Sequence, residues 1–178
     1  MGHRRLIIDK ISGILDATDV AYDKQLTAMV DGASRIFIAG AGRSALVARF
    51  FAMRLMHGGY DVYIVGEIVT PSLKKGDLLI VISGSGETET MIAFAKKAKQ
   101  LGAELVLISS RSSSTLAEMS NAVIPVGAPD MYGKVVGMPM GTVFELSTLI
   151  FLEATISHII HEKGIAEEEM RARHANLE

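Results

Sequence analysis

Cysteine is absent from the 178-residue chain. That removes a disulfide framework, a thiolate nucleophile and a zinc-thiolate site together, and with ten methionines it suits a reducing cytoplasm. Excess charge of either sign is lacking too: 18 Lys and Arg stand against 20 Asp and Glu, for a formal net charge of -2. Such a balance offers no nucleic-acid footprint and no basic face for a membrane, so the expected partner is small. The basic start His3-Arg4-Arg5 leads into Leu6-Ile7-Ile8, which Asp9-Lys10 interrupts far short of the apolar stretch of a signal peptide. No apolar run reads as long enough to span a bilayer. Internal repeats, low-complexity tracts and linkers are also missing.

What is there is a composition that is 49% hydrophobic, ample for one well-filled core. A single domain over 1–178 is expected, divided into N-terminal helices (1–32), an α/β core (33–163) and a C-terminal tail (164–178). Ile7, Ile8, Ile11, Ile14 and Leu15, then Val20, Leu26 and Met29, recur at three- and four-residue spacing and predict one or two amphipathic helices. Beyond them, short and nearly continuous apolar runs alternate with helical stretches. Strands are predicted at 35–39, 61–65, 77–83, 104–109 and 122–126, and helices at 44–57, 88–101, 115–120 and 141–163. Gly58-Gly59 and Gly102 are read as helix ends, and 127–138, flanked by Pro129 and Pro139, as a surface loop. Strands this apolar belong to a parallel sheet covered on both faces. The pattern predicts an α/β fold, a doubly wound three-layer αβα sandwich with a parallel sheet of five strands, flavodoxin-like if the strand order is 2-1-3-4-5.

Two segments stand directly between a strand and a helix: Gly40-Ala41-Gly42-Arg43-Ser44 and Ser83-Gly84-Ser85-Gly86-Glu87-Thr88. In that strand order they line one crevice at the carboxyl edge of the sheet. Glycines admit close approach of backbone to ligand, helix N-termini carry partial positive charge, and Ser83, Ser85 and Thr88 add hydroxyl donors. Phosphate oxygens suit such a site, with Gly42, Arg43, Ser44, Ser83, Gly84, Ser85, Gly86 and Thr88 as candidate ligands. Taken singly, either loop also reads as a tight turn with a hydroxyl helix cap. A sharper competitor is a dinucleotide site, because residues 40–45 fit the G-x-G-x-x-G/A pattern; its acidic partner would be Glu67 or Asp61, one placed late and the other early. Neither loop carries the Gly-Lys-Ser/Thr ending of a P-loop. Glu67 and Thr70, just past the second strand, are candidates for sugar hydroxyls. Glu87 and Glu89 read as surface charges favoured at a helix start. His158 and His161 share a helical face, but without a third ligand nearby no metal site is expected.

The stretches GAGRSALVARFFAMRLMHGGYDVYIVGE (40–67), TPSLKKGDLLIVISGSGETE (70–89), MPMGTVFE (138–145) and EEEMRARHANLE (167–178) resemble the 6-phospho-3-hexuloisomerases, members of the wider sugar isomerase (SIS) family. The ISGSGET loop indicates the wider family, and the other three segments narrow it. The resemblance implies an SIS-type sandwich, a homotetramer with active sites near subunit interfaces, and no metal or organic cofactor. It also implies interconversion of D-arabino-3-hexulose 6-phosphate and D-fructose 6-phosphate through an enediolate, in the ribulose monophosphate route of formaldehyde fixation. By the same resemblance Glu145 is the base, and His57 and His174 are catalytic histidines that polarise the carbonyl or assist ring opening. The residues themselves say less. Glu145 opens an otherwise apolar helix, which suits either a general base partly removed from water or an ordinary dipole-favoured carboxylate. His57 also reads as a C-terminal helix residue, and His174 as part of a frayed tail. Two other readings share the phosphate loops: another SIS sugar-phosphate isomerase, such as one for arabinose 5-phosphate, and a non-catalytic phosphosugar-binding module. The apolar helix 142–160 and the N-terminal helices are the expected oligomer interface.

Overall fold

The structure, a computed structural model, describes residues 2–177. Two helices, α1 (His3–Asp16) and α2 (Ala21–Gly32), precede the alternation β1 (Ile36–Gly40), α3 (Arg43–His57), β2 (Val62–Ile64), β3 (Leu78–Ile82), α4 (Glu89–Leu101), β4 (Glu104–Ser109), α5 (Thr115–Met119) and β5 (Ala122–Pro125). A 3-10 turn at Pro129–Tyr132, the long α6 (Thr142–Lys163) and a short α7 (Glu167–Ala172) complete the order. All strand pairings are parallel and the sheet order is β2-β1-β3-β4-β5, the order on which the shared crevice of the two loops depends.

Strand composition explains the layering. Successive side chains point to opposite faces, so Ile36, Ile38, Leu78, Ile80, Ile82, Val106 and Ile108 pack under α1, α2, α3 and α6. Phe37, Ala39, Leu79, Val81, Leu105 and Leu107 pack under α4 and α5. Both faces are covered, which is why the strands show no polar alternation. The helix α3 ends with Gly58 still right-handed (φ -69°), and the left-handed residue is the next one, Gly59, at φ +92°.

At the amino edge, Arg35 holds Asp77 with both guanidinium arms, Nε to Oδ1 at 3.1 Å and Nη2 to Oδ2 at 2.6 Å. Burial alone would raise the Asp77 carboxyl, but the Arg35 bonds and the Lys74 N–H bring it below its ordinary value. This pair ties the start of β1 to the start of β3, far from the strand ends that bear the glycine loops.

One expectation needs correction. By length and composition alone, α6 qualifies as a membrane-crossing helix, although no apolar run in the sequence is read that way. Half of its apolar stretch is buried inside the fold, against α1, α2 and α3. Polar ties belong to that packing: Thr155 donates to Asp23 of α2 at 2.8 Å, and Glu153 pairs with Arg54 of α3 at 3.1 Å. The helix is apolar because it is the spine of one layer.

Candidate active site

The first loop begins where β1 ends. A Cβ at Gly40 would lie 2.7 Å from the Ser44 carbonyl oxygen, so only glycine lets the chain fold back this tightly. Gly42, at φ +56° and ψ -126°, turns it into α3 in a conformation that disfavours side chains. No side chain caps this helix start, and the Ala45 N–H bonds back to the Gly42 carbonyl at 3.1 Å. Ser44 is buried there, while the Arg43 side chain is about half exposed.

The second loop follows β3 and is held by its own hydroxyls. Ser83 Oγ accepts from the Gly86 N–H at 3.2 Å and lies 3.1 Å from Thr88 Oγ1, and Ser85 Oγ accepts from the Glu87 N–H at 3.2 Å. Among the described residues the N–H groups of Gly84, Ser85 and Thr88 make no hydrogen bond, so donors remain for an anion. Because Gly40 is in register with Ile82, the two loops leave neighbouring strands side by side. They form one crevice edge.

A third segment, which the sequence analysis does not single out, clamps the second loop. Ser110 Oγ donates to the Gly84 carbonyl at 2.6 Å and Ser109 Oγ at 3.2 Å. Ser114 caps α5 through the Ala117 N–H at 3.1 Å, and its Oγ would lie 2.1 Å from a Cβ at Gly86, itself at φ +68°. Glu87 does not act at the start of α4: it accepts from the Thr115 N–H at 2.8 Å, and bonds from Thr115 hold its carboxyl below the ordinary value. The signal was available in Ser109-Ser110-Arg111-Ser112-Ser113-Ser114, a hydroxyl run directly after β4 at the same sheet edge.

Glu145 completes the group from α6. Gly141, the cap of that helix, is at φ +84°, and the Glu145 carboxylate folds back so that its oxygens lie 2.7 and 2.8 Å from where a Gly141 Cβ would stand. Its neighbour Phe144 packs on Gly84, with ring carbon Cδ1 3.0 Å from the position of a Cβ there. Tyr132 meets the Phe144 ring edge-on at 6.2 Å and donates its hydroxyl to the Val126 carbonyl; burial pushes the phenol well above its ordinary value. These contacts fix the start of α6 against the second loop. Across the crevice, Arg43 Nε approaches Glu145 Oε2 at 3.4 Å. The contact is an ion pair without hydrogen-bond alignment, for Oε2 is buried and has no hydrogen-bond partner.

Other candidates lie elsewhere. Thr70 donates its hydroxyl to the Ile64 carbonyl at 2.6 Å, and Glu67 pairs with Arg49 at 2.6 Å, so both border the first loop with their polar atoms engaged. His57 and His174 are not brought to Glu145. The 15 residues of α3 carry the chain about 21 Å from Arg43 to His57, at the opposite sheet edge. There the two imidazoles stack at 5.2 Å, and Arg173 donates to the His57 carbonyl at 3.1 Å. Burial, then His174 and Arg54, lower the His57 pKa. A groove of about 650 Å³ also lies at that far edge, but its Asp77 is bound to Arg35 and its Asn121 side chain to the Leu105 N–H.

A parallel sheet in this order, with hydroxyl-glycine loops at its switch point, defines a doubly wound α/β domain, and the chain belongs to the SIS domain family, whose profile matches residues 29–154. Over 178 residues it is 54% identical to the 3-hexulose-6-phosphate isomerase of Methylomonas aminofaciens, spanning 99% of this chain and 98% of that one. It is 42% identical over 160 residues to the 3-hexulose-6-phosphate isomerase of Bacillus subtilis, spanning 86% and 85%. The crystal structure of a Methanococcus jannaschii protein, from which a molecular function of 3-hexulose-6-phosphate isomerase was inferred, superimposes with a TM-score of 0.89 at 37% identity and covers 100% of both chains.

Proposed function

We propose that this chain is an isomerase that interconverts D-arabino-3-hexulose 6-phosphate and D-fructose 6-phosphate. The phosphate sits in the crevice between the first and second loops, held by the free N–H groups of Gly84, Ser85 and Thr88, the hydroxyls of Ser83, Ser85 and Thr88, and Arg43. Glu145 takes the proton from C2, and the electron pair forms the C2=C3 bond while O3 gains charge. Return of that proton to C3, with the O2 hydroxyl proton passing to O3, leaves the carbonyl at C2. No atom is gained or lost. The observation that carries this reading is the packing of Phe144 on Gly84, which sets the adjacent Glu145 beside the anion loop. Family likeness to proteins named for this reaction supports the choice of substrate.

His57 and His174 serve such a site only if a second copy of the chain brings them. Leu46, Met53 and Met56 on α3 and Ile150 on α6 are exposed, an apolar face suited to that copy. The reading is therefore a homo-oligomer, a tetramer by family likeness, with sites near subunit interfaces and a reducing, cytoplasmic setting. Glu145→Gln tests the assignment of the base. Turnover should fall by about 10²- to 10⁴-fold, the usual range for a lost general base, while titration with fructose 6-phosphate still shows binding. Equal loss of binding and rate would remove Glu145 from that role.

A further inference from the structure

Arg43 is the one cationic residue in the two loops, Gly40–Ser44 and Ser83–Thr88. It faces Glu145 across 3.4 Å. Its side chain is 53% exposed and that of Glu145 only 14%, so the guanidinium has solvent space around it that the carboxylate lacks. Oε2 of Glu145 is buried without a hydrogen bond, and Arg43 is its recorded ionic partner. The carboxylate is thus held near a cation that is poorly aligned with it.

We infer that Arg43 exchanges partners during each turnover: it pairs with Glu145 before substrate binds and leaves it for the substrate's phosphate, so that arrival of a phosphorylated sugar helps to free the base. This rests on the phosphate site proposed above and adds a specificity step to it. The energetic direction follows from geometry. A guanidinium gains more from a phosphate, which accepts two parallel N–H bonds, than from a carboxylate it meets off-axis at 3.4 Å. A phosphate that takes Nε and Nη2 together withdraws from Glu145 the Nε that faces it. Sugars lacking the phosphate leave the pair closed and the carboxylate engaged, so phosphate binding favours proton removal as well as affinity.

The consequence is counterintuitive: removing the base should tighten substrate binding, because the phosphate no longer competes for Arg43. Isothermal titration of fructose 6-phosphate into the wild type, Glu145→Gln, Arg43→Met and the double variant forms a cycle that isolates this coupling. Glu145→Gln is expected to bind about three- to fivefold more tightly than the wild type, the range set by a partly exposed ion pair. In the Arg43→Met background the same change should leave affinity within about twofold. Tightening of equal size in both backgrounds would mean simple repulsion between carboxylate and phosphate, and would overturn the exchange. Unchanged or weaker binding by Glu145→Gln would overturn it as well. Arg43→Lys, which keeps the charge, provides a second background in which tightening should reappear. Ser83→Ala separates the two levels of the reading: if the wild type binds but Ser83→Ala binds equally well, the phosphate site itself is misplaced.

Discussion

Glycine 86 shows how little freedom single positions of this site have. It needs a positive φ, and its missing Cβ leaves room for the Ser114 hydroxyl that caps α5. Gly86→Ala combines backbone strain with that clash and should cost about 2 kcal/mol or more, lowering the melting temperature by about 4–8 °C for a chain of this size. A melt within 1 °C of the wild type, about the error of such a scan, would show that the 109–114 segment yields easily. At this scale the sequence was legible in part. The positions of Gly42, Ser83 and Thr88 at neighbouring strand ends could be read from residue type and place after a strand, because the chain turns into a helix there. Glu145 could not be found that way: a carboxylate in the first turn of a helix is common, and only family resemblance pointed to it. Phe144 and Ser110 were missed because their contact with Gly84 depends on how three strand ends align.

Elements were the most legible scale, since each strand is an apolar run closed by glycine or hydroxyl residues and the helices other than the evenly apolar α6 are set off from them by spacing or by glycine ends. What went unread was direction. A helix that leaves the carboxyl edge at Arg43 returns to the amino edge at His57, so placing both residues in one site of one chain conflicts with the helix's own length. The pairing of His57 with His174 gives α7 and the tail a measurable role. Burial, with His174 and Arg54, depresses the His57 pKa, so below its ordinary 6.5 the unfolded chain takes up a proton that the folded chain refuses. Stability must then fall as pH drops from about 6.5 toward the lower folded value. Asp77, whose carboxyl is depressed, acts in a separate and lower window: its contribution is present above the ordinary 3.8 and is lost as pH falls through its folded value. Melting temperatures between pH 7 and 5 should decline for the wild type and flatten in His57→Gln. An identical slope in both would detach the effect from this pair.

At the scale of the whole molecule, the fold separates its chemistry between two edges of one sheet. The loops, Arg43 and Glu145 occupy the carboxyl edge; the histidine pair and the Arg35–Asp77 tie occupy the other. If a second copy brings the histidines to the loops, Glu145→Gln and His57→Ala damage different parts of a shared site. Mixing the two variants under conditions that exchange subunits should then restore turnover that neither shows alone. Persistent inactivity of mixed oligomers would confine each site to a single chain. The apolar stretch of α6 was the least legible feature at this scale, because a core helix, an interface helix and a membrane span share one composition.

The central claim is that a phosphate held by the strand-end loops presents C2 of its sugar to Glu145. The purified protein supplied with D-arabino-3-hexulose 6-phosphate, with fructose 6-phosphate read by a coupled enzyme and arabinose 5-phosphate as the comparison substrate, tests it most directly. Rapid formation of fructose 6-phosphate that Glu145→Gln abolishes, with little or no turnover of the pentose phosphate, is the predicted result. Turnover of arabinose 5-phosphate alone, or fructose 6-phosphate formation that survives Glu145→Gln, would contradict it.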